Sequence, residues 1–512
     1  MFFNIRNLTT ATNPYFSRLQ MSFSKTLVII IILLGFKQAF AQEMLGIVNS
    51  RYAGITGSVI NPAVTVTSPF YIDINLVAGD FFVENNYVYI AKEDYRFSRF
   101  FSKNPQFPTH EPGNMIVYDI YNTKDKKAFT SQRIIGPSFA VTVGRHSFGL
   151  VTGARTVTST KNVPYDIAKF AFERRDFPPL NGTDFVNKRN VYNAELAWAE
   201  VGLNYSYVLK QGGRDYWAAG ITVKGLRGYG GGYLYLDNID YLLPNPDTLI
   251  IKNIKGEAGY SLPLDYQTNE YMKDPLFRGK GVGFDLGIIY EKKKKDVQNE
   301  HVNSLCAQDY TPYQYKIGIS LLDIGRVKFT QNAEKLVLDN VSTTWADVSN
   351  AQFGSVHDFT AILSNQFYGN PTEIVQGNEI KVALPTALSV QADVNFYKSW
   401  YVNGTMVLPL QISKSGLRRP SLLAVTPRYE TSLFDISMPI TLFDWTEPRI
   451  GLSARFLWFF VGSEKISGFF HYKDFTGLDF YFGAKISLRK GHCRNKKTGD
   501  NCGIEEYKMF RK

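Results

Sequence analysis

Apolar and polar residues alternate along most of this chain. In FYIDINLVAGD, Phe70, Ile72, Ile74, Leu76 and Ala78 fall on one side, with Tyr71, Asp73 and Asn75 on the other. A period of two predicts a strand. It does not say whether the apolar side meets a protein core or lipid. The pattern recurs in VGFDLGIIY, where Val282, Phe284, Leu286, Ile288 and Tyr290 oppose Gly283, Asp285 and Gly287. YQYKIGISL sets Tyr313, Tyr315, Ile317, Ile319 and Leu321 against Gln314, Lys316, Gly318 and Ser320. LSVQADVNF and LDFYFGAKISL repeat it, with Asp393 and Lys485 on the polar side.

The last of these runs for 11 residues. Soluble strands are usually about five or six residues long, whereas a tilted strand crossing hydrocarbon needs about 9–11. The second face is mixed, with Gly, Ser, Asn, Asp and Tyr, as suits a packed or wet lumen. Length and composition of the two faces favour lipid. Further strands are expected at Phe82–Ile90, Pro137–Gly144, His146–Thr158, Ala194–Leu209, Tyr216–Gly228, Gly232–Leu243, Ser421–Ser432, Asp435–Phe443 and Arg449–Phe460. The expected fold is all-β, a transmembrane antiparallel β-barrel of the outer-membrane type with about 14 strands, long loops and a few short helices. Long polar insertions are expected at 91–130, 159–191, 253–279, 292–311 and 330–381, with a short helix in PYDIAKFAFERR from Pro164. The glycines of GYGGGY, Gly228 to Tyr233, lack the Lys-Ser/Thr and helix of a phosphate loop and predict a bulge or kink.

The amino-terminal end changes the compartment. Lys25 precedes an apolar run from Leu27 to Phe36, then Ala39-Phe40-Ala41 and Gln42. This is the pattern of a secretory signal peptide cleaved after Ala41, with Met21 as an alternative start. The expected organisation is a signal peptide at 1–41, an amino-terminal periplasmic or lumen segment at 42–68, a barrel at 69–488 and a hydrophilic periplasmic tail at 489–512. No later run approaches the roughly 20 apolar residues of a membrane helix. The net charge of +11 falls by the four basic residues of 1–41 to +7, which is only mildly basic. The run EKKKKD, Glu291 to Asp296, reads as a solvated loop. Phe, Tyr and Trp make up 15% of the chain, a richness that fits the interfacial girdles of barrels.

Candidate chemistry is sparse. Cys306, Cys493 and Cys502 are too few for a disulfide scaffold, although Cys493 and Cys502 are close enough in sequence to close a small loop as a disulfide. The six histidines form no H-E-x-x-H pattern, and no G-x-S-x-G occurs. Ser355, His357 and Asp358 are too close along the chain to be read as a triad. No catalytic, cofactor or metal residue is assigned, and the chain reads as non-enzymatic. The lumen-facing candidates are Asp73, Asp285, Lys316, Asp393 and Lys485, either shaping a passage or filling a closed barrel as ion pairs.

The segment LGIVNSRYAGITGSVINPA, with the turn Asn61-Pro62-Ala63 just before the first strand, resembles the amino-terminal region of the long-chain fatty-acid transporter superfamily. It resembles more closely a family of uncharacterised Bacteroidetes outer-membrane barrels. KIGISLLDIGRVKF, AEVGLNYSYVL, WAAGITVKGLRG and LPTALSVQADV are similar to the same family. The resemblance implies a 14-stranded barrel in the outer membrane of a Gram-negative cell, with an amino-terminal segment in or under the lumen. It carries no established activity. The wider superfamily imports hydrophobic molecules, and similar barrels shuttle proteins of the type IX secretion pathway. The leading expectation is a conduit for a small or hydrophobic molecule. The alternative is an accessory subunit of an outer-membrane secretion or assembly complex, and an enzyme is the least supported. Expected partners are outer-membrane lipid and, as further candidates, other outer-membrane or periplasmic proteins. Nucleic acid is not among them, and the small-molecule ligand is left unidentified.

Overall fold

The computed structural model describes residues 43–95, 116–173, 181–187, 189–245, 247–295, 300–301, 309–348, 353–469 and 473–488. The expected signal peptide, Cys306, Cys493, Cys502 and the tail from residue 489 lie outside the described residues. Within them the chain forms a closed antiparallel barrel of 14 strands. These are β1 (Ile72–Asn85), β2 (Lys126–Ile135, continued by Ser138–Val143), β3 (His146–Val163), β4 (Val191–Gly212), β5 (Asp215–Asn245), β6 (Gly279–Lys293) and β7 (Tyr313–Phe329). The circuit continues through β8 (Ile380–Ala383 and Ala387–Tyr397), β9 (Trp400–Pro409), β10 (Leu422–Glu430), β11 (Phe434–Ser437 and Ile440–Phe443), β12 (Glu447–Ile450 and Leu452–Phe456), β13 (Phe459–Ser463) and β14 (Gly477–Leu488). Each strand pairs with the next, and β14 returns to β1 from Ile72↔Leu488 to Glu84↔Gly477. Closure leaves the membrane wall without a free edge, which hydrocarbon would not tolerate.

Tight turns gather at one end. Gly144-Arg145, Gly213-Arg214, Lys398-Ser399 and Leu457-Trp458 join strands there, and positive φ at Gly144, Gly213, Lys398 and Leu457 matches the twist of such hairpins. An aromatic girdle marks the same end. His146 packs on Tyr207, Trp217 on Tyr290, Tyr290 on Tyr315, and Trp400 on Tyr429, with centroids 4.8–6.0 Å apart. Most longer connections lie at the other end. The outward side chains between are apolar and exposed, as at Val282, Phe284, Leu286, Ile288, Ile317 and Ile319. Their surroundings in the membrane are lipid.

Several expectations need correction, and bulges explain most of them. Leu76 is an extra residue in β1 where the register to β14 shifts, so Leu76 and Val77 both point outward and the phase inverts beyond them. Ala78 is consequently buried on the inner side, and Phe70 precedes the strand, tucked against Tyr52. Tyr313 is also internal, because an irregularity opposite Lys292 and Lys293 turns Gln314 outward. Phe82 belongs to β1 rather than to a separate strand. The two runs expected at Tyr216–Gly228 and Gly232–Leu243 are one strand, β5, with the GYGGGY glycines at a register shift. Arg449–Phe460 contains the turn between β12 and β13.

Two insertions read as loops also carry structure. Thr248–Ser261 and Ala333–Ala346 pair with each other and extend the upper half of β5 beyond the barrel. The helix Val356–Tyr368 lies against this extension, where Gln366 bonds Thr343 and Tyr368 bonds the Val337 carbonyl. Three register shifts within Thr248–Ser261 destroy the clean alternation that would have announced a strand. The helix expected after Pro164 spans Tyr165–Glu173.

Leu286 is the central residue of five outward positions from Val282 to Tyr290, so Leu286→Arg places a cation near the hydrocarbon midplane. The expected cost is about 2–4 kcal/mol, seen as loss of heat-modifiable migration and a lowered urea midpoint after refolding into vesicles. Leu286→Val is expected to assemble normally, and equal behaviour of the two variants would refute the assigned outer face.

Candidate functional site

The lumen is filled by residues 43–68. This segment makes three short turns, Leu45–Val48, Gly54–Val59 and Val64–Thr67, and nearly all of it is buried. None of it pairs with a barrel strand. Its turns pair some of its own backbone groups, as where the Ile47 and Val48 amides donate to the Met44 carbonyl, and the rest look to inward-facing side chains, since buried amides left unpaired are costly. Glu464 accepts from the Leu45 amide at 2.7 Å, and Tyr481 from that of Gly46 at 3.2 Å. Ser437 donates to the Gly46 carbonyl, and Ser320 to that of Ile60. A Cβ at Gly46 would fall 1.9 Å from the Ser453 hydroxyl, so this approach requires glycine.

The turn Asn61-Pro62-Ala63 rests in a hollow of glycines. The Asn61 side chain accepts from the Ala63 amide at 3.0 Å and donates to Gln391 at 3.1 Å. A Cβ on Gly287 or Gly318 would meet Asn61, and one on Gly220 would meet the Pro62–Ala63 peptide. These three glycines stand on β6, β7 and β5, and Gly283 and Gly287 shared the polar face with Asp285 in the sequence. Small residues there make room for the segment. Below the turn, Thr65 bonds Asn204 at 3.0 Å and Ser206 at 2.6 Å, and Tyr216 donates to the Val66 carbonyl.

All five lumen-facing candidates are buried on the inner side. Asp73 and Lys485 meet at 3.1 Å, and together they grip the segment. Asp73 accepts from the Ile55 amide at 2.6 Å while Lys485 donates to the Tyr52 and Ala53 carbonyls. Asp393 and Lys316 are cross-strand neighbours, yet Asp393 is bonded by Tyr313 at 2.6 Å and Arg428 at 2.7 Å. Lys316 lies over the Tyr313 ring instead. Asp285 belongs to a separate group with Lys224 and Asp323.

The site contains more charge than sequence reasoning singled out. Arg428 binds both Asp393 and Glu430, and Glu430 also receives Arg51 and Ser50 from the segment. Asp323 is shared by Arg155 at 2.8 Å, Lys224 at 2.8 Å and Arg419 at 3.3 Å. Arg419 also faces Glu43 of the segment at 3.5 Å. Arg155, Arg428 and Glu430 sit on inward positions of alternating strands and could have been read from the period. Asp323 could not, because it occupies a bulge in β7 with φ near 54°. Arg418 and Arg419 precede β10 in a connection with no period.

A cavity of about 20 Å³ remains beside Arg155, Arg418 and Arg419, with Phe82, Phe129 and Val157 on its apolar side. That is room for little more than one water. Ser355, His357 and Asp358 are elsewhere, at the start of Val356–Tyr368, where the Ser355 hydroxyl caps the helix by accepting from the Asp358 amide. Among the described residues no group of three or more His, Cys, Asp or Glu could hold a metal ion.

The profile of a family of unknown function (DUF5723) matches residues 62–464. No curated protein matches the chain. Among solved structures, a deltaS2 mutant of the TodX monoaromatic hydrocarbon channel is 7% identical, with 85% of this chain and 95% of that one covered and a TM-score of 0.37. The toluene transporter TodX of Pseudomonas putida is 8% identical over 88% and 98% of the two chains, with a TM-score of 0.33. A Pseudomonas aeruginosa FadL homologue is 8% identical over 83% and 92%, with a TM-score of 0.20. Scores of this size carry no argument about function.

Arg428 is the only direct cationic partner of Asp393 found in the described residues. Arg428→Met leaves Asp393 without its cationic partner, holding only the Tyr313 hydroxyl, and leaves part of the Glu430 charge uncompensated, and the expected loss is about 3–5 kcal/mol of stability. Urea unfolding followed by tryptophan fluorescence measures it.

Proposed function

The chain belongs to this family of unknown function (DUF5723), and from that premise we propose that it is a non-enzymatic outer-membrane conduit for a small hydrophobic molecule, closed by its own residues 43–68. The observation that carries the reading is how the lumen is filled. The segment contributes no strand to the wall and is held by side chains, so it can leave without opening a single ladder hydrogen bond of the barrel. What it would expose also fits. Above the charged layer, Leu196, Trp198, Leu226, Val327, Phe329 and Leu384 form one apolar cluster toward the long-loop end. A hydrophobic solute entering there meets aromatic and aliphatic surface first and the segment last.

Export by a signal peptide cleaved after Ala41 belongs to the same proposal, as do a periplasmic location of the tight turns and of the tail from 489, and the assignment of 42–68 to the lumen. Intact mass of protein isolated from outer membranes checks the cleavage. The strand pair Thr248–Ser261 and Ala333–Ala346 favours a second reading, in which this extension docks a protein partner as part of an outer-membrane complex.

Thr65 and Ser206 offer a lock, because their side-chain oxygens lie 2.6 Å apart. In a background with the three native cysteines changed to Ser, the pair Thr65→Cys and Ser206→Cys is expected to form a disulfide that halts entry of N-phenylnaphthylamine into proteoliposomes. Reduction is expected to restore it. Equal entry in both redox states would end the conduit reading.

A further inference from the structure

The turns at the girdle end carry cations that the protein leaves unmatched. Arg145 lies at the turn from β2 to β3, Lys210 at that from β4 to β5, Lys295 after β6 and Lys398 between β8 and β9. All four are exposed, and none has an ion pair among the described residues. The carboxylates nearest these turns are already engaged. Asp215 accepts from Lys292 and from the Tyr290 hydroxyl at 2.7 Å each, and Glu291 pairs with Lys293. At the far end of the barrel, by contrast, Lys169, Lys252 and Lys255 each face an aspartate.

Two of the free cations stand together at the edge of the lipid-facing wall. The Val208 amide donates to the Arg145 carbonyl at 2.9 Å, which sets Arg145 two residues along from Lys210 on the neighbouring strand. That step is about 7 Å, a gap that two long side chains bridge. Beside them His146 and Tyr207 face each other across β3 and β4 with ring centroids 4.8 Å apart, and His146 Nδ1 lies 2.9 Å from the Tyr205 hydroxyl. Trp217 stands opposite Lys210 on β5 and is exposed. Farther along the same outer face come Phe148, Val201 and Leu203, which are 54–66% exposed. From the turn toward the midplane the wall thus presents two unmatched cations, then an aromatic layer with polar groups, then bare apolar surface. A phospholipid with a net negative charge has the same order of headgroup, ester region and acyl chains.

We propose that Arg145 and Lys210 bind the phosphate of an anionic phospholipid, with the His146–Tyr207 pair beneath the headgroup and the acyl chains against Phe148, Val201 and Leu203. A phosphate held between a guanidinium and an ammonium group answers both charges. The occupant is a membrane lipid because the cations run without a break into a surface that acyl chains cover. This site is on the outer wall and is independent of whether the lumen conducts. The periplasmic location proposed for the tight turns assigns the lipid to the inner leaflet of the outer membrane.

Native mass spectrometry of the full mature chain, released from detergent micelles holding equal amounts of dioleoylphosphatidylglycerol and dioleoylphosphatidylcholine, tests this. The unaltered chain is expected to retain phosphatidylglycerol over phosphatidylcholine by about tenfold. The double variant Arg145→Gln with Lys210→Gln is expected to lose that preference, with heat-modifiable migration confirming that it is folded. Lys398→Gln, on the same rim at the turn between β8 and β9, is expected to keep it. Equal loss in Lys398→Gln reduces the effect to diffuse attraction by the rim and overturns the site. So does the absence of a preference in the unaltered chain, or a preference that survives the double variant. Displacement of the bound lipid by inorganic phosphate assigns the cations to a free anion and overturns the lipid. None of these readouts involves transport, so failure here leaves the conduit reading as it stands.

Discussion

The requirement that every backbone group within the membrane be hydrogen-bonded governs the rest of this molecule. Hydrocarbon offers no partner for an exposed amide, so the sheet must close, and β1 meets β14 along almost its whole length. Closure in turn divides every strand into a lipid face and an enclosed face. The lipid face accepts almost any apolar side chain, because neighbours there are fluid. The enclosed face has no such freedom, and its residues are fixed by what they must touch.

That second face explains why the lumen is both polar and full. A wall of 14 strands surrounds more space than its own side chains occupy, and residues 43–68 take up the remainder. Having no strand partner, the segment presents amides and carbonyls that, where its own turns leave them open, must be satisfied from the wall. Asp73, Lys485, Glu464, Ser437, Ser320 and Tyr481 do this work. Where the Asn61-Pro62-Ala63 turn passes closest, the wall retreats to glycine at 220, 287 and 318. Asp285, Asp323, Asp393 and Glu430 are gathered into ion pairs, because an isolated buried charge would cost several kcal/mol.

The sequence revealed the barrel because a two-residue period survives in most strands. It failed at bulges, where one added residue reverses the period. Leu76 conceals the inward turn of Ala78, Gln314 that of Tyr313, and the irregularity before Ile324 conceals Asp323. The total of 14 strands was anticipated although several were parsed differently, since runs wrongly divided were offset by runs wrongly joined. Five of the inward charges were legible by period alone. Their partners were not, because Asp393 meets Arg428 and Asp73 meets Lys485 across separations of 35 and 412 residues. The Asn61-Pro62-Ala63 turn was visible as a motif, but the glycines that receive it are spread over three strands and become a hollow only after closure.

The plug is held by apolar packing, with Met44, Leu45, Ile47, Val48 and Ile60 in one cluster with Phe82, Phe129, Phe443 and Phe460 of the wall, and by hydrogen bonds and charge beside it. Exposing its apolar residues to water is unfavourable, whereas many of its polar contacts can be replaced by water at small net cost, since a typical hydrogen bond contributes only about 0.5–1.5 kcal/mol. The exceptions are the ionic contacts, where withdrawal leaves a wall charge behind. Arg51 leaves Glu430 with Arg428, so that loss is partly covered. Glu43 leaves Arg419 only a third share of Asp323, which Arg155 and Lys224 already hold at shorter distance. The electrostatic resistance to opening is therefore small at both ionic contacts of the segment, and its apolar packing against the wall is the larger barrier.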